Sequence, residues 1–359
     1  MADNTPISIC IITKNECDTL KECLKHLKPY ADAGNHEIVI VDTGSTDNTV
    51  EMCKEFTDKV FFFEWINDFS AARNYAAEKA SHDWILCIDS DEYVTEWDEK
   101  SIQSILSNKP YCLGTINIIN NCGFGKDAYQ EKSILYRLYN KMHYYFKNAI
   151  HEQLVTFHSS EKELAQHSNI TIFHNSYSGT KEDLFPKTER NIKLLKEELL
   201  KNPRDAFTLY NLGQCYYMRE DYKTALQYYS EGLEQDINPA LPWAKNMVVS
   251  YGYCLLNLNR IEQALELEGL YDVFADYADY VFLIGYIYMK NGYFDDAIHQ
   301  FELATTKSDY AVLGSNSFRA YYNIGVIYEC AGMIDRAKEY YKKCGSYELA
   351  KSRLKKDNH

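Results

Sequence analysis

The sequence predicts two domains of different class: an α/β domain with a mixed, mainly parallel sheet, then an all-α repeat solenoid. Three observations predict this. Through the first half, short apolar runs alternate with helical stretches and each run ends in a polar cluster, as buried parallel strands joined by crossover helices do. Through the second half, small and aromatic residues recur at a near-constant interval. At 359 residues the chain also exceeds one typical domain. The expected divisions are residues 1–180, a linking helix over 181–202, and repeats over 203–359.

Residues 7–12 (ISICII) read as a first buried strand, ended by Thr13, Lys14, Asn15 and Glu16. A helix follows, with Leu20, Leu24 and Leu27 at helical spacing and Pro29 as its stop. Residues 37–41 (EIVIV) are the next strand and run into Asp42, Thr43, Gly44 and Ser45. Gly44 permits a tight turn, and the polar cluster supplies helix N-caps, a role open to Asp42 itself. Residues 60–63 are a short strand, and 69–80 (FSAARNYAAEKA) an Ala-rich helix with Arg73 near its start. A helix N-terminus with an arginine suits an anion; a surface ion pair is the plain alternative for Arg73.

The apolar run from Trp84 then breaks into Asp89, Ser90, Asp91 and Glu92. Open α/β sheets place ligands at the carboxyl ends of their strands. Residues i and i+2 of an extended segment point the same way, so Asp89 and Asp91 are expected to face one divalent cation with phosphate partners. The alternative is a solvated turn. Beyond it, residues 113–119 and 134–139 are strands, 121–127 a loop, and the stretch ending Ile150, His151, Glu152, Gln153 a further strand-like piece. Residues 170–174 end a strand at His174, more often a structural residue there than a ligand.

Four polar loops thus follow four successive apolar runs. The motifs I-I-T-K-N-E, V-D-T-G-S-T-D, A-A-R-N-Y-A and I-D-S-D-E, in this order over roughly residues 5–175, resemble the nucleotide-sugar-binding half of a family 2 glycosyltransferase with the GT-A fold. The last is that family's D-x-D signature. No G-x-G-x-x-G follows the first strand, which excludes a dinucleotide fingerprint. The resemblance implies that Asn15, Glu16 and Asp42 lie against the base and ribose of the donor, with Thr13, Ser45 and Ser90 in the same loops. It implies Arg73 near the nucleotide or diphosphate, and Asp89 and Asp91 on Mg²⁺ or Mn²⁺, with Asp91 the direct ligand and Asp89 towards the ribose. His174 is a candidate third ligand. The run R-L-Y…I-H-E-Q-L resembles a bacterial branch ending its catalytic domain in an H-E pair, unlike the commoner Glu-Asp motif. An inverting transfer needs a base within reach of the acceptor proton: Glu152 is the first candidate, with Asp127 and His151 in reserve. A strand-end ion pair is the alternative for His151 and Glu152.

Residues 181–201 read as a helix stopped by Asn202 and Pro203. Leu209, Leu212, Gly213, Tyr216, Tyr222, Ala225 and Tyr229 then fall at tetratricopeptide spacing. The frame recurs around Gly285 and Gly325, and in a more degenerate form around Gly252 with Leu255, Ile261 and Ala264. About four units are expected, because no single unit can bury its own face. Of the 31 tyrosines, 21 follow Lys181, so most belong to repeat packing; some are left to line a face for a peptide, a protein or a second copy.

Composition sets outer limits. The 38 basic and 52 acidic residues give a net charge of −14, which argues against nucleic acid or an anionic membrane as main partner. No run is long and apolar enough for a membrane helix, and no signal peptide is expected. Eleven scattered cysteines without a C-x-x-C pair read as reduced, mostly buried thiols of a cytoplasmic protein rather than a disulfide frame or zinc site. The expectation is a metal-dependent inverting glycosyltransferase using a UDP-sugar. The two-domain layout resembles bacterial peptide S- or O-glycosyltransferases of bacteriocin pathways, which implies a peptide or protein acceptor. A cell-envelope saccharide or lipid-linked acceptor is the enzymatic alternative, and a non-catalytic repeat scaffold the alternative of another class.

Overall fold

The computed structural model describes residues 5–122, 128–158, 164–174 and 181–356. The chain divides into two compact units, Met1–Gly179 and Thr180–His359. The first unit runs β1 (Ser8–Thr13), α1 (Cys17–Gly34), β2 (Glu37–Asp42), α2 (Thr49–Cys53), β3 (Val60–Phe62), α3 (Phe69–Lys79), β4 (Trp84–Asp89), β5 (Glu92–Glu96), α4 (Glu99–Leu106), β6 (Cys112–Cys122), β7 (Tyr129–Asn140), β8 (Tyr144–Lys147), β9 (Gln153–Thr156) and β10 (Leu164–His174). Eight strands form one sheet in the order β3-β2-β1-β4-β7-β6-β10-β5, while β8 and β9 pair separately. The first four are parallel, as the alternation of strand and helix requires. β7 runs antiparallel between β4 and β6, and β10 lies parallel to β6 and antiparallel to β5.

The near-continuous apolar runs follow from burial on both faces. Ile9, Ile11, Ile38, Ile40, Leu86 and Ile88 join the core beneath Leu20, Leu24 and Leu27 of α1. Their alternating neighbours Cys10, Val39, Val41, Ile85 and Cys87 pack with Ala76 and Ala77 of α3. Pro29 does not stop α1 as expected: the helix carries it and continues to Gly34. Burial of Ala31 and Gly34 offsets the hydrogen bond that proline forgoes, and the helix ends instead at Asn35, a left-handed residue (φ 55°). Neither β5 nor α4 was anticipated.

One irregularity in the sheet bears on the site. Thr115 of β6 faces Tyr136 of β7, yet Gly114 faces Leu138, which leaves Arg137 without a counterpart. Such a bulge re-aims the extra side chain. Gly114 is needed opposite it, because a Cβ there would stand 2.7 Å from the Cβ of Leu138.

The second unit opens with α5 (Lys181–Lys201), followed by the pair α6 (Ala206–Met218) and α7 (Tyr222–Leu233). Next come α8 (Pro242–Asn257), α9 (Ile261–Ala264) and α10 (Tyr271–Phe274), the pair α11 (Ala278–Asn291) and α12 (Phe294–Ala304), the pair α13 (Phe318–Cys330) and α14 (Ile334–Lys343), and α15 (Glu348–Lys356). Three glycines each meet the aromatic ring sixteen residues on: Gly213 and Tyr229, Gly285 and Phe301, Gly325 and Tyr341. A Cβ would lie 2.3 Å from the ring of Tyr229 and 2.5 Å from that of Tyr341, so the glycine is what lets the two helices of a unit close. The degenerate unit breaks this rule. Gly252 meets Leu283 and Leu267 instead, and its second helix fragments into α9, a 3₁₀ turn over Leu265–Leu270 and α10.

Candidate functional site

The carboxyl ends of β2, β1 and β4 are laced together by their own polar residues. Asp42 accepts from the N–H groups of Gly44 and Ser45 at 3.0 Å, folding its loop back on itself. Gly44 (φ 105°) supplies the left-handed conformation this needs. Asp42 is therefore no helix cap. Asn15, itself left-handed at φ 53°, donates its N–H to Ser45 Oγ (2.8 Å) and accepts from Thr46 N–H at Oδ1 (2.7 Å). Thr43 N–H bonds the carbonyl of Thr13, whose own hydroxyl is buried without a hydrogen-bond partner. Glu16 accepts from Ser90 Oγ at 3.1 Å, tying the β1 loop to the β4 end.

Asp89 and Asp91 have different partners. β4 ends at Asp89 and a turn over Ser90 and Asp91 precedes β5, so the alternation of an extended strand stops between them. Both Asp89 oxygens are engaged by guanidinium groups: Arg73 at 2.6 Å and Arg137 at 2.9 Å. Burial alone would raise the Asp89 pKa, but Arg137 and Arg73 hold it well below the usual carboxylate range. Arg137 also reaches Glu92 at 3.1 Å. The buried Glu92 accepts the Asp89 N–H at 2.8 Å, and burial followed by the Asp89 charge pushes its pKa up despite Arg137.

Arg73 is likewise turned inward. It is 7% exposed and donates to Asp89, to Glu152 and to Cys87 Sγ, with Phe146 beneath its plane. The N-terminus of its helix is already capped by the carboxylate of Asp68, which accepts from Ala71 N–H at 3.0 Å. Arg73 thus positions two carboxylates from inside the protein, where the resemblance put it beside the nucleotide or diphosphate. Glu152 commits Oε1 to Arg73. His151 is left-handed at φ 50°, a costly conformation for an imidazole residue. Burial depresses its pKa against the raising influence of Glu152, which favours the neutral ring. Asp127 lies outside the described residues.

Asp91 has a different companion. His174, at the end of β10, brings Nε2 to 3.2 Å from Asp91 Oδ1. Its Nδ1 is 2.9 Å from Asn120 Oδ1, which orients the ring. Although burial lowers the His174 pKa, the bond to Asp91 and the charges of Asp91, Glu92 and Asp89 raise it overall. Among the described residues no group of three or more His, Cys, Asp or Glu side chains is arranged to hold a metal. One carboxylate and one oriented imidazole nevertheless fit a hard divalent ion whose remaining positions fall to substrate phosphates and water.

Arg137 and Glu92 were missed as site residues. The signal was a charged residue inside the apolar strand I-L-Y-R-L-Y, with no compensating charge near it in sequence. All eleven cysteines are free, and among the described residues no helix is long and apolar enough to cross a membrane.

The glycosyl transferase family 2 model matches residues 8–187. Tetratricopeptide-repeat models match 206–238, 278–306 and 318–350, passing over the unit in which the glycine–ring register fails. A TPR repeat-containing protein of Synechococcus elongatus is 29% identical over 237 residues, covering 64% of this chain and 57% of its own length. The prophage-derived glycosyltransferase SunS of Bacillus subtilis is 29% identical over 238 residues, covering 64% and 54%. The chain therefore spans a little over half the length of these relatives. Among solved structures, a thermophilic TPR protein of Thermus thermophilus is 18% identical, with 49% of this chain and 99% of that one covered and a TM-score of 0.38.

Proposed function

Because the chain belongs to glycosyl transferase family 2, we propose that it moves a sugar from a UDP-linked donor onto a side chain of a peptide or protein, with inversion at the anomeric carbon. The observation that carries this reading is the pairing of Asp91 with His174 at the carboxyl end of β4, beside the interlocked loops of Asn15, Asp42 and Ser45. Among the described residues, the guanidinium groups of Arg73 and Arg137 at this end of the sheet are committed to carboxylates. A divalent ion held by Asp91 and His174 would supply the positive charge that a diphosphate leaving group requires. Asn15, Asp42, Ser45, Glu16 and Ser90 shape the cleft for the nucleoside, and Asp89, taken by two arginines, fixes the position of the turn that carries Asp91.

In the transfer the acceptor oxygen or sulfur attacks the anomeric carbon as the bond to the diphosphate oxygen breaks, and the electron pair leaves with UDP. The acceptor proton passes to Glu152, whose other oxygen Arg73 holds in place. The repeats, like the resemblance to bacterial peptide glycosyltransferases, favour a polypeptide acceptor. The test is a panel of UDP-sugars with Mn²⁺, read as nucleotide release and as UDP binding by calorimetry. Asp91→Ala is expected to abolish Mn²⁺-dependent UDP binding. Glu152→Gln is expected to keep that binding and lower transfer by roughly 10²–10⁴-fold, the size of a general-base contribution. Full transfer by Glu152→Gln would hand the base to His151. Release no faster than an enzyme-free blank, together with no UDP binding, would leave the chain a scaffold.

A further inference from the structure

Beyond the bulge, β7 has an open side. Its ladder with β4 consists of Asn140, Tyr139 and Leu138 facing Trp84, Ile85 and Leu86. From Tyr136 back to Tyr129 it pairs with β6, and among the described residues no strand pairs with residues 132–135 on the other side. Three consecutive apolar side chains lie here, Ile134 at 57% exposure and Leu135 and Tyr136 at 41%. Consecutive strand residues point to opposite faces, so this stretch is exposed on both. Folded proteins ordinarily blunt such an edge with charge, proline or a covering element; here Lys132 places a charge at one end, and Ser133, Ile134 and Leu135 carry none. This one begins beside Arg137, which grips Asp89 at 2.9 Å.

We propose that this edge is the seat of the acceptor: an extended segment of the acceptor polypeptide adds to β7 as a strand alongside residues 132–135. The proposal rests on the reading of the chain as a transferase with a polypeptide acceptor. What selects this occupant is continuity with the site. The strand that offers the edge also supplies the guanidinium holding Asp89, two residues from Asp91. A chain paired with the edge is therefore held in register with the Asp91–His174 pair. Ile134 is three residues, about 10 Å of strand, from Arg137. Main-chain pairing supplies affinity, and Ile134, Leu135 and Tyr136 favour apolar or β-branched residues flanking the modified position.

The test uses the full chain and capped peptides about ten residues long, the length of a long strand. Each has a central Cys, Ser or Thr flanked by Val and Thr. Two further sets carry backbone N-methyl groups on odd or on even positions, each deleting the hydrogen bonds of one peptide edge. The expected result is that one N-methylated phase raises KM about tenfold, the equivalent of one or two lost hydrogen bonds, while the other phase leaves it unchanged. Ile134→Lys with Leu135→Lys is expected to raise KM for these peptides comparably. It should leave UDP affinity and acceptor-free release of UDP from the donor as in the wild type. Equal response to both phases, or no response to the lysines while donor turnover persists, overturns the edge and spares the transferase reading. Donor turnover without use of any peptide overturns the polypeptide acceptor and the edge with it. A wild-type dimer that the lysines convert to monomer with KM unchanged would assign the edge to a second copy. Absence of both donor turnover and UDP binding in the wild type removes the transferase reading itself.

Discussion

In the repeats, helices close on one another through a glycine and a ring, and the same contact recurs sixteen residues apart at Gly213–Tyr229, Gly285–Phe301 and Gly325–Tyr341. At the site end of the sheet the closeness is electrostatic: Arg73 and Arg137 are packed among Asp89, Glu92 and Glu152, from four separate stretches of the chain. The first arrangement tolerates degeneracy, since the unit around Gly252 loses its register and still joins the core. The second has no spare member, because removal of one charge strands the others away from water. The difference teaches where each region is vulnerable: the repeats to added volume, the site to lost charge.

The strongest way to break this comparison is Arg73→Met in the full chain. Leaving Asp89 and Glu152 with one partner fewer is expected to cost about 3–5 kcal/mol in urea unfolding, and combining it with Asp89→Asn should recover part of that loss. A loss below about 1 kcal/mol would place the arginine among ordinary surface pairs. Next in size, Gly213→Ala and Gly325→Ala are each expected to lose about 1–3 kcal/mol through overpacking, with their thermal midpoints falling accordingly. Gly252→Ala should lose less, because a Cβ there meets the terminal methyl groups of Leu283 and Leu267 rather than a ring. Equal losses at all three would deny the repeats their common contact.

The smallest effect lies at the opposite end of the sheet. Burial would raise the Glu37 pKa, but the Lys59 ammonium and bonds from Ser8 and Ser81 bring it down to about 2. A carboxyl lowered on folding stabilises the protein above its ordinary value near 4.5 and loses that contribution as pH falls towards 2. Glu37→Gln should therefore flatten the acid limb of a stability–pH profile over that interval and leave the neutral limb parallel to wild type. An unaltered acid limb would show the bonds to be dispensable.

The same contrast explains what could be read without coordinates. Gly213 announces Tyr229 because both belong to one local, repeated spacing, and the buried strands announce themselves by unbroken apolar runs. The partners at the site are separated by 79 residues for Arg73 and Glu152 and by 48 for Arg137 and Asp89, distances over which a lone sequence carries no pairing signal. Asp91 and His174 were both legible as candidates, but not as companions. That Asp91 pairs with His174 while Asp89 is held by two arginines depended on a two-residue turn that the run of carboxylates concealed. Pro29 misled for a related reason: local preference favoured a stop, and burial of Ala31 and Gly34 overrode it.

The bulge has a further meaning when the protein is considered as a gene. Arg137 is supernumerary to the β6–β7 ladder, with Tyr136 and Leu138 already matched to Thr115 and Gly114. A single codon therefore separates a hairpin that merely completes a sheet from one that delivers a guanidinium to Asp89. In-frame loss of that codon would leave an uninterrupted ladder and an Asp89 held by Arg73 alone. The architecture and its chemistry can part company here by one triplet.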